Sequence, residues 1–547
     1  KATLLRLEKT GELSVVKEQK PEMWGQYLRY KYVNFDFSEV KKTGIYMVKY
    51  GDTISNPFSI EPGVYKRHVW QPTLEYFLPV QMCHMRVNQK YRVWHGACHM
   101  DDALMAPLNI AHFDGYNNTA DTSTLSPFKP LEHVPGLTAG GWHDAGDYDI
   151  RIESQAWVVI ILALAYEEFG VNYDETYVDQ QNRHVEIHHP DGKPDLLQQV
   201  EHGVLTILGG YRQLGRLYRG IIAPTLRQYV HLGDAATQTD NKVFTDASML
   251  SKANNVDELW YKKVANRYSN IFDPGLNLDQ VEVFIPELDD RLVFTKTNPA
   301  RQLQGAASLA IASRVMKGYN DQLSEECLKV AEELWRKNSH GKGRWMETQK
   351  IHTLAELIIT TNKEEYKREL CGLKTAVEDN FAWAGWSAGR VLDLIDCPEF
   401  EDAVTKAARA YKPELDSIMA STPFGAPLEN AEILGFRQYF LNKAWPQIFS
   451  SKHLFAAVNY MLGCRPGNTT NSLVSGVGVK SPTVAYGTNR ADWSYIPGGT
   501  FWNAVNLVSP DFAEDKVWPY LWQEREYIIT SPCFFMFTVL AADKLLE

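Results

Sequence analysis

Residues 140–150 read GGWHDAGDYDI, eleven positions holding a tryptophan, a histidine, three aspartates and three glycines. Glycine and aspartate both disfavour helix interiors, and a strand would put carboxylates on both faces, so a loop is the conformation left to the segment. Gly140, Gly141 and Gly146 permit backbone conformations that other residues resist, which lets such a loop fold tightly around its side chains. Asp144 and Asp147, three apart, could both point at one water molecule. A carboxylate pair on a water is what general-base hydrolysis requires. Glycosidic hydrolysis needs a further carboxyl across the scissile bond, protonated so that it acts as the acid. The plainer reading of the same residues is a polar surface turn.

A second constellation is MCHMRVNQKYRVWHGACHM, residues 82–100. Cys83 and Cys98 have fourteen residues between them, and His99 adjoins the second. Two thiolates and an imidazole have the composition of a structural tetrahedral zinc site. The gap is wider than a zinc-finger knuckle, so thiols without a metal fit the spacing equally well. HVEIHHPDG (184–192) has three histidines and no cysteine, and reads as a solvated loop.

The elements that must position these groups divide the chain in two. Residues 1 to about 65 read as β, with aromatic and β-branched runs at QYLRYKYVNFDF (26–37) and GIYMVKYGD (44–52) separated by turn residues. A small immunoglobulin-type sandwich fits them. Beyond about residue 70 the pattern is helical. SQAWVVIILALAYEEFG (154–170) is apolar nearly all round, hence buried, and ends at a glycine. PDLLQQVEHGVLTILGGYRQLG (194–215) opens with proline, and KEEYKRELCGLKTAVEDN (363–380) reads as one further helix. Nine or ten helices are expected, with hardly a strand between them and no fixed-period repeat. The expectation is a β module over 1–66 and one large all-α domain over 67–547, whose long loops carry the function.

The net charge of -11 over 547 residues, with no basic stripe, excludes a nucleic-acid partner. No run of 18 apolar residues exists, so no transmembrane segment is expected, and 156–165 is too short to span a bilayer. KATLLRLEKTGELS at the start has no signal-peptide hydrophobic run, so any such segment is expected to have been removed or left out. The 15 Trp, 27 Tyr and 23 Phe could serve both core and sugar stacking. Seven cysteines cannot all pair; Cys327, Cys371, Cys397, Cys464 and Cys533 lie far apart and are expected as buried free thiols. NNT at 117 and NTT at 468 match glycosylation sequons.

GGWHDAGDYD resembles the Asp-Ala-Gly-Asp signature of glycoside hydrolase family 9, the inverting β-1,4-glucanases. YMLGCRPGNTTNSLVSGVG (460–478) resembles a second segment of that family, and LWQEREYIITSP (521–532) occupies the place of its acid motif. The N-terminal β segment is similar to the immunoglobulin-like module of one branch. The resemblance implies an (α/α)6 barrel behind that module. It also implies Asp147 as general base, Asp144 as its assistant on the water, and Glu526 as general acid. Arg525 precedes Glu526 where the family more often has asparagine, and Glu524 is the competing position.

Some members of the family hold a zinc, which implies Cys83, Cys98, His99 and His143 as ligands here, with His84 and His95 as competitors. Four protein ligands would close the sphere and make the zinc structural. The resemblance also admits calcium, with no ligands assigned. AYGTNRADWSYIPGG (485–499) lacks the family's His-His-Arg cluster and keeps only Arg490. Trp142, Arg490, Trp493, Tyr495 and Trp502 are the sugar-contacting candidates. Xyloglucan or mixed-linkage glucan is then expected ahead of plain cellulose, acted on by a monomer that is secreted, periplasmic or anchored at the outer surface. The rival readings are an exo-acting β-glucosidase or glucosaminidase, a carbohydrate-binding protein without catalysis, and a zinc-dependent hydrolase.

Overall fold

The computed structural model describes residues 1–100, 102–108, 118, 124–145, 148–222, 291–426, 430–467, 471–481, 495–502 and 526–547, with only the backbone of 501, 502 and 526. Strands run from Ala2 to Ile60 with no helix among them. Leu13–Gln19, Ala2–Leu7, Gly44–Tyr50 and Thr53–Ile54 lie side by side in that order, and Phe58–Ile60 also pairs with Gly44–Tyr50. The hairpin Glu22–Tyr27/Tyr30–Asn34 forms a separate two-stranded sheet. It touches the helical part through Tyr32, whose hydroxyl accepts from Gly467 N–H at 2.9 Å and whose ring meets Phe424 edge-on at 5.8 Å.

Among the described residues there are 13 α-helices, and six of them close a ring. Ile152–Phe169 packs on Pro299–Val315, which packs on Arg344–Thr361, then Phe381–Gly389, Ala431–Ala444 and Thr530–Leu546, which returns to Ile152–Phe169. Amphipathic helices such as Asp195–Leu214, Asp321–Asn338 and Pro398–Met419 back the ring from outside. This is an (α/α)6 barrel. The difference between the layers is visible in composition: LSEECLKVAEELWRKN has one apolar stripe, whereas the ring helices are buried nearly all round. Asn298 caps Pro299–Val315 by accepting from Ala300 and Arg301 N–H, and Gly170 ends Ile152–Phe169 in the left-handed conformation. Trp157, His352, Trp386, Phe436 and Phe534 meet ring to ring in the barrel's interior.

Outer helices alternate with the ring helices along the chain, and Thr530–Leu546 closes the ring beside Ile152–Phe169. The loop before Ile152 and the segment before Thr530 meet there, where Ile529 N–H donates to the Asp144 carbonyl at 2.8 Å.

Four expectations are corrected. The helical part contains two small four-stranded sheets: Leu104–Met105, Leu292–Phe294, Gly220–Ile222 and Ile150–Arg151 in one, and Thr176–Asp179, His184–Ile187, Arg86–Gln89 and Arg92–His95 in the other. HVEIHHPDG is accordingly no solvated loop: His184–Ile187 is a strand with Val185 and Ile187 buried. The helix read over 363–380 breaks into Glu364–Cys371 and Lys374–Asp379 around Gly372. Cys371 and Cys397 are joined in a disulfide and Cys464 is exposed, so of the five expected buried thiols only Cys327 and Cys533 are that. Among the described residues no helix is long and apolar enough to cross a membrane. Both sequon asparagines, 117 and 468, lie outside the described residues.

Candidate active site and metal centre

An isolated antiparallel bridge between Met82 and Trp142 brings two distant segments together. Cys83 N–H donates to Gly141 O at 2.8 Å, and His143 N–H donates to Gln81 O at 2.8 Å, so Cys83 and His143 flank the bridge from opposite strands. The hairpin Arg86–Gln89/Arg92–His95 then turns the chain back to deliver Cys98 and His99 to the same place. Cys83, Cys98, His99 and His143 are all buried, and one donor atom from each lies within 4.8 Å of every other. Cys98 Sγ stands 3.9 Å from Cys83 Sγ and 3.6 Å from His143 Nε2, and Cys83 Sγ stands 3.6 Å from His99 Nδ1.

Burial holds both His99 and His143 well below the ordinary imidazole range, so they are neutral, the form that ligates a metal. Burial also pushes the Cys83 thiol up, so loading a metal there would release a proton. The cluster is compatible with metal binding. The competitors are occupied elsewhere: His84 Nδ1 meets Gly140 O at 3.0 Å, and His95 binds Gly96 O and Val80 O at 2.8 and 3.0 Å.

The Asp-Ala-Gly-Asp loop is pinned from several sides. Gly140 has φ +72°, and a Cβ there would come within 2.4 Å of the His202 carbonyl, so only glycine lets the loop lie against helix Asp195–Leu214. His202 Nε2 contacts Gly141 O at 2.7 Å, and Gly141 N–H donates to His202 O at 3.1 Å. Asp144 is buried, forms an ion pair with Arg151, and donates its N–H to Asp149 O at 2.7 Å.

Trp142 is corrected from a sugar contact to a core anchor. It is 0% exposed, its indole N–H donates to Gln199 Oε1 at 2.8 Å, and its ring lies on Gly203, where a Cβ would approach to 2.5 Å. Asp147, Arg490, Trp493 and the competitor Glu524 lie outside the described residues. Glu526 and Trp502 are paired directly across the two-stranded sheet Phe501–Trp502/Glu526–Tyr527. The neighbouring Tyr527 is buried, and its hydroxyl shares a hydrogen bond with Ser475 Oγ at 2.5 Å, which joins segment 471–481 to the strand that carries Glu526. Tyr495 is partly exposed, with its hydroxyl over Gly476.

Sequence reasoning missed Arg291. It is 0% exposed and lies between these groups, bonded to Asp102, Tyr148 O and Cys83 Sγ. A lone arginine before the apolar run LVF carries no signal of that position.

The sequence profile of glycosyl hydrolase family 9 matches residues 70–491. The chain belongs to that family and is a glycoside hydrolase. Its fold is similar along its whole length to a Bacteroides ovatus GH9 protein, with TM-score 0.71, 17% identity, and coverage of 100% of this chain and 95% of that one. A Zn-binding triple mutant of GH family 9 endoglucanase J30 follows with TM-score 0.66 and 17% identity over 99% of this chain and 97% of that one. AaCel9A in complex with cellobiose-like isofagomine gives TM-score 0.66 and 14% identity over 100% and 96%. A comparison with curated proteins by sequence finds no match.

Proposed function

We propose that the chain is an inverting endo-β-1,4-glucanase, with Asp147 as general base, Asp144 as its partner on the water, and Glu526 as general acid. The observation that supports this most is the bond from Ile529 N–H to the Asp144 carbonyl. It ties the loop of the two aspartates to the segment that begins with Glu526, three residues before Ile529. That contact supports a two-carboxylate site assembled from these two segments. In the reaction Asp147 takes a proton from water as that water attacks the anomeric carbon, and Glu526 gives a proton to the leaving oxygen. Inversion requires the two carboxyls to stand about 6.5–9.5 Å apart, leaving room for the water. The family profile ends at 491, so Glu526 rests on the resemblance of LWQEREYIITSP and on its position in the fold.

The metal we infer is one structural zinc held by Cys83, Cys98, His99 and His143. Zinc bonds of about 2.3 Å to sulfur and about 2.0–2.1 Å to nitrogen make tetrahedral edges of about 3.8 Å between sulfurs and about 3.5 Å between sulfur and nitrogen. The separations here are 3.9 Å and 3.6 Å. Two thiolates with two neutral imidazoles leave a divalent ion neutralised, which suits a buried position. That a triple mutant of endoglucanase J30, similar in fold, is named as Zn-binding is in keeping with the same reading. The domain division at 66/67 and the immunoglobulin-like character of the first part belong to this account. So does export: a polymeric substrate stays outside the cell, and the Cys371–Cys397 disulfide favours an oxidising compartment.

Arg490, Trp493, Tyr495 and Trp502 are the proposed sugar contacts, and they favour xyloglucan or mixed-linkage glucan over unsubstituted cellulose chains. One experiment tests base and preference together: wild type and Asp147→Ala assayed on those three polymers, with affinity measured alongside. Wild type should show its highest kcat/KM on a soluble branched or mixed-linkage glucan. Asp147→Ala should lose a factor on the order of 10²–10⁴ or more in rate on each, with affinity kept. Undiminished activity in Asp147→Ala rejects the base, and a clear win for cellulose rejects the preference alone.

A further inference from the structure

Arg291 sits just before strand Leu292–Phe294, in the small sheet that also holds Ile150–Arg151 at the exit of the catalytic loop. Its guanidinium is buried and reaches three separate segments. Nε donates to Asp102 Oδ2 at 2.5 Å, Nη1 donates to Tyr148 O at 2.5 Å, and Nη2 stands 3.2 Å from Cys83 Sγ and 3.5 Å from His84 Nε2. A buried charge needs a fixed counter-charge, and Asp102, 1% exposed, supplies it. That leaves the other arm of the fork to choose its acceptors by geometry. They are a sulfur of the metal cluster and the carbonyl one residue after Asp147.

The backbone around these contacts is unusual. Tyr148 (φ 65°), His84 (φ 63°), Ala103 (φ 60°) and His99 (φ 55°) all lie in the left-handed region without being glycine. Such residues persist where their surroundings over-determine them. Each of the four adjoins or is part of a group named above: Tyr148 gives its carbonyl to Arg291, His84 follows Cys83, Ala103 follows Asp102, and His99 follows Cys98.

We propose that Arg291 is a positioning residue that couples the metal centre to the general base. One rigid fork fixes the Cys83 sulfur and the Tyr148 carbonyl relative to each other, so the metal cluster anchors the backbone that follows the base in sequence. This rests on the reading of Asp147 as base. Lysine would keep the charge opposite Asp102, but its single nitrogen cannot span both remaining acceptors. The role is therefore separable from charge balance. Removing a group that orients a metal ligand typically costs about 10–100-fold in metal affinity or activity.

The test compares the full-length zinc-loaded wild type with Arg291→Lys and Arg291→Gln. It measures kcat and KM, zinc release to a chromogenic chelator, and, after exchange with Co2+, the thiolate-to-cobalt absorption band. For Arg291→Lys, folded by circular dichroism, kcat should fall about 10–100-fold with KM within about twofold, and zinc release should quicken about 10–100-fold. The cobalt band should move to longer wavelength, since a thiolate that loses an N–H donor holds its electrons less tightly. Arg291→Lys with wild-type kcat, release and band overturns the proposal, as does loss of kcat with an unchanged band, or a shifted band with unchanged kcat. Should Arg291→Gln fail to fold, Arg291→Lys alone decides. An active Asp147→Ala enzyme would reject the base while the release and cobalt measurements still report the contact with Cys83.

Discussion

His202 shows how single residues hold the catalytic loop. Its ring and its carbonyl both bond Gly141, and burial pushes its pKa down to about 3 from an ordinary 6.5. Burial does the same to His352 in the barrel interior, also to about 3. Both imidazoles stay neutral in the fold, whereas the unfolded chain takes up protons near 6.5. The unfolded state therefore binds more protons below that pH, and stability falls as pH drops from about 6.5 towards 3. Above 6.5 the contribution is whole. The urea midpoint should decline between pH 6.5 and 4, and His202→Gln should shed about one proton's worth of that slope. An unaltered slope in the variant would show that His202 protonates freely in the folded state. At this scale the sequence was readable where chemistry restricts residue type. The four cluster residues were read from their resemblance to a zinc-binding set, and the fold brings them together. Trp142 was misread because its identity suits a sugar platform and a core anchor equally well. Only its position on Gly203 separates the two.

Elements were legible in proportion to their length. The long apolar run at 154–170 announces itself by its length, and the runs of the first 60 residues by aromatic and β-branched composition between turn residues. GII at 220–222 and LVF at 292–294 do not, because three apolar residues fit a strand, a helix turn or a loop. HVEI did alternate, but the three histidines of HVEIHHPDG masked the pattern of Val185 and Ile187. The disulfide escaped for a related reason. Cys371 ends helix Glu364–Cys371 and Cys397 precedes Pro398–Met419, 26 residues on, and only the intervening short helices bring their Cα atoms to 6.4 Å. Cross-linking a loop of this length restricts the unfolded chain, so Cys371→Ser with Cys397→Ser should lose about 2–4 kcal/mol of stability. Thiol titration in denaturant should find five free thiols before reduction and seven after it. Seven before reduction would remove the bridge from the account.

For the molecule as a whole, the change from strands to helices was legible because composition changes character near residue 65, whereas the barrel followed from the resemblance to the family. The contact of Tyr32 with Gly467 and Phe424 was not legible, since it depends on where two distant surfaces meet. Family membership adds a chemical constraint that no single element contains. A base and an acid placed across the bond, with water between, must deliver the product in the opposite anomeric form. Proton NMR of the first products from a soluble mixed-linkage β-glucan reads this directly, before mutarotation mixes the forms. The account predicts that the α-anomer appears first. If the β-anomer accumulates first, the enzyme retains configuration, and the assignment of Asp147 and Glu526 as base and acid across a water is wrong.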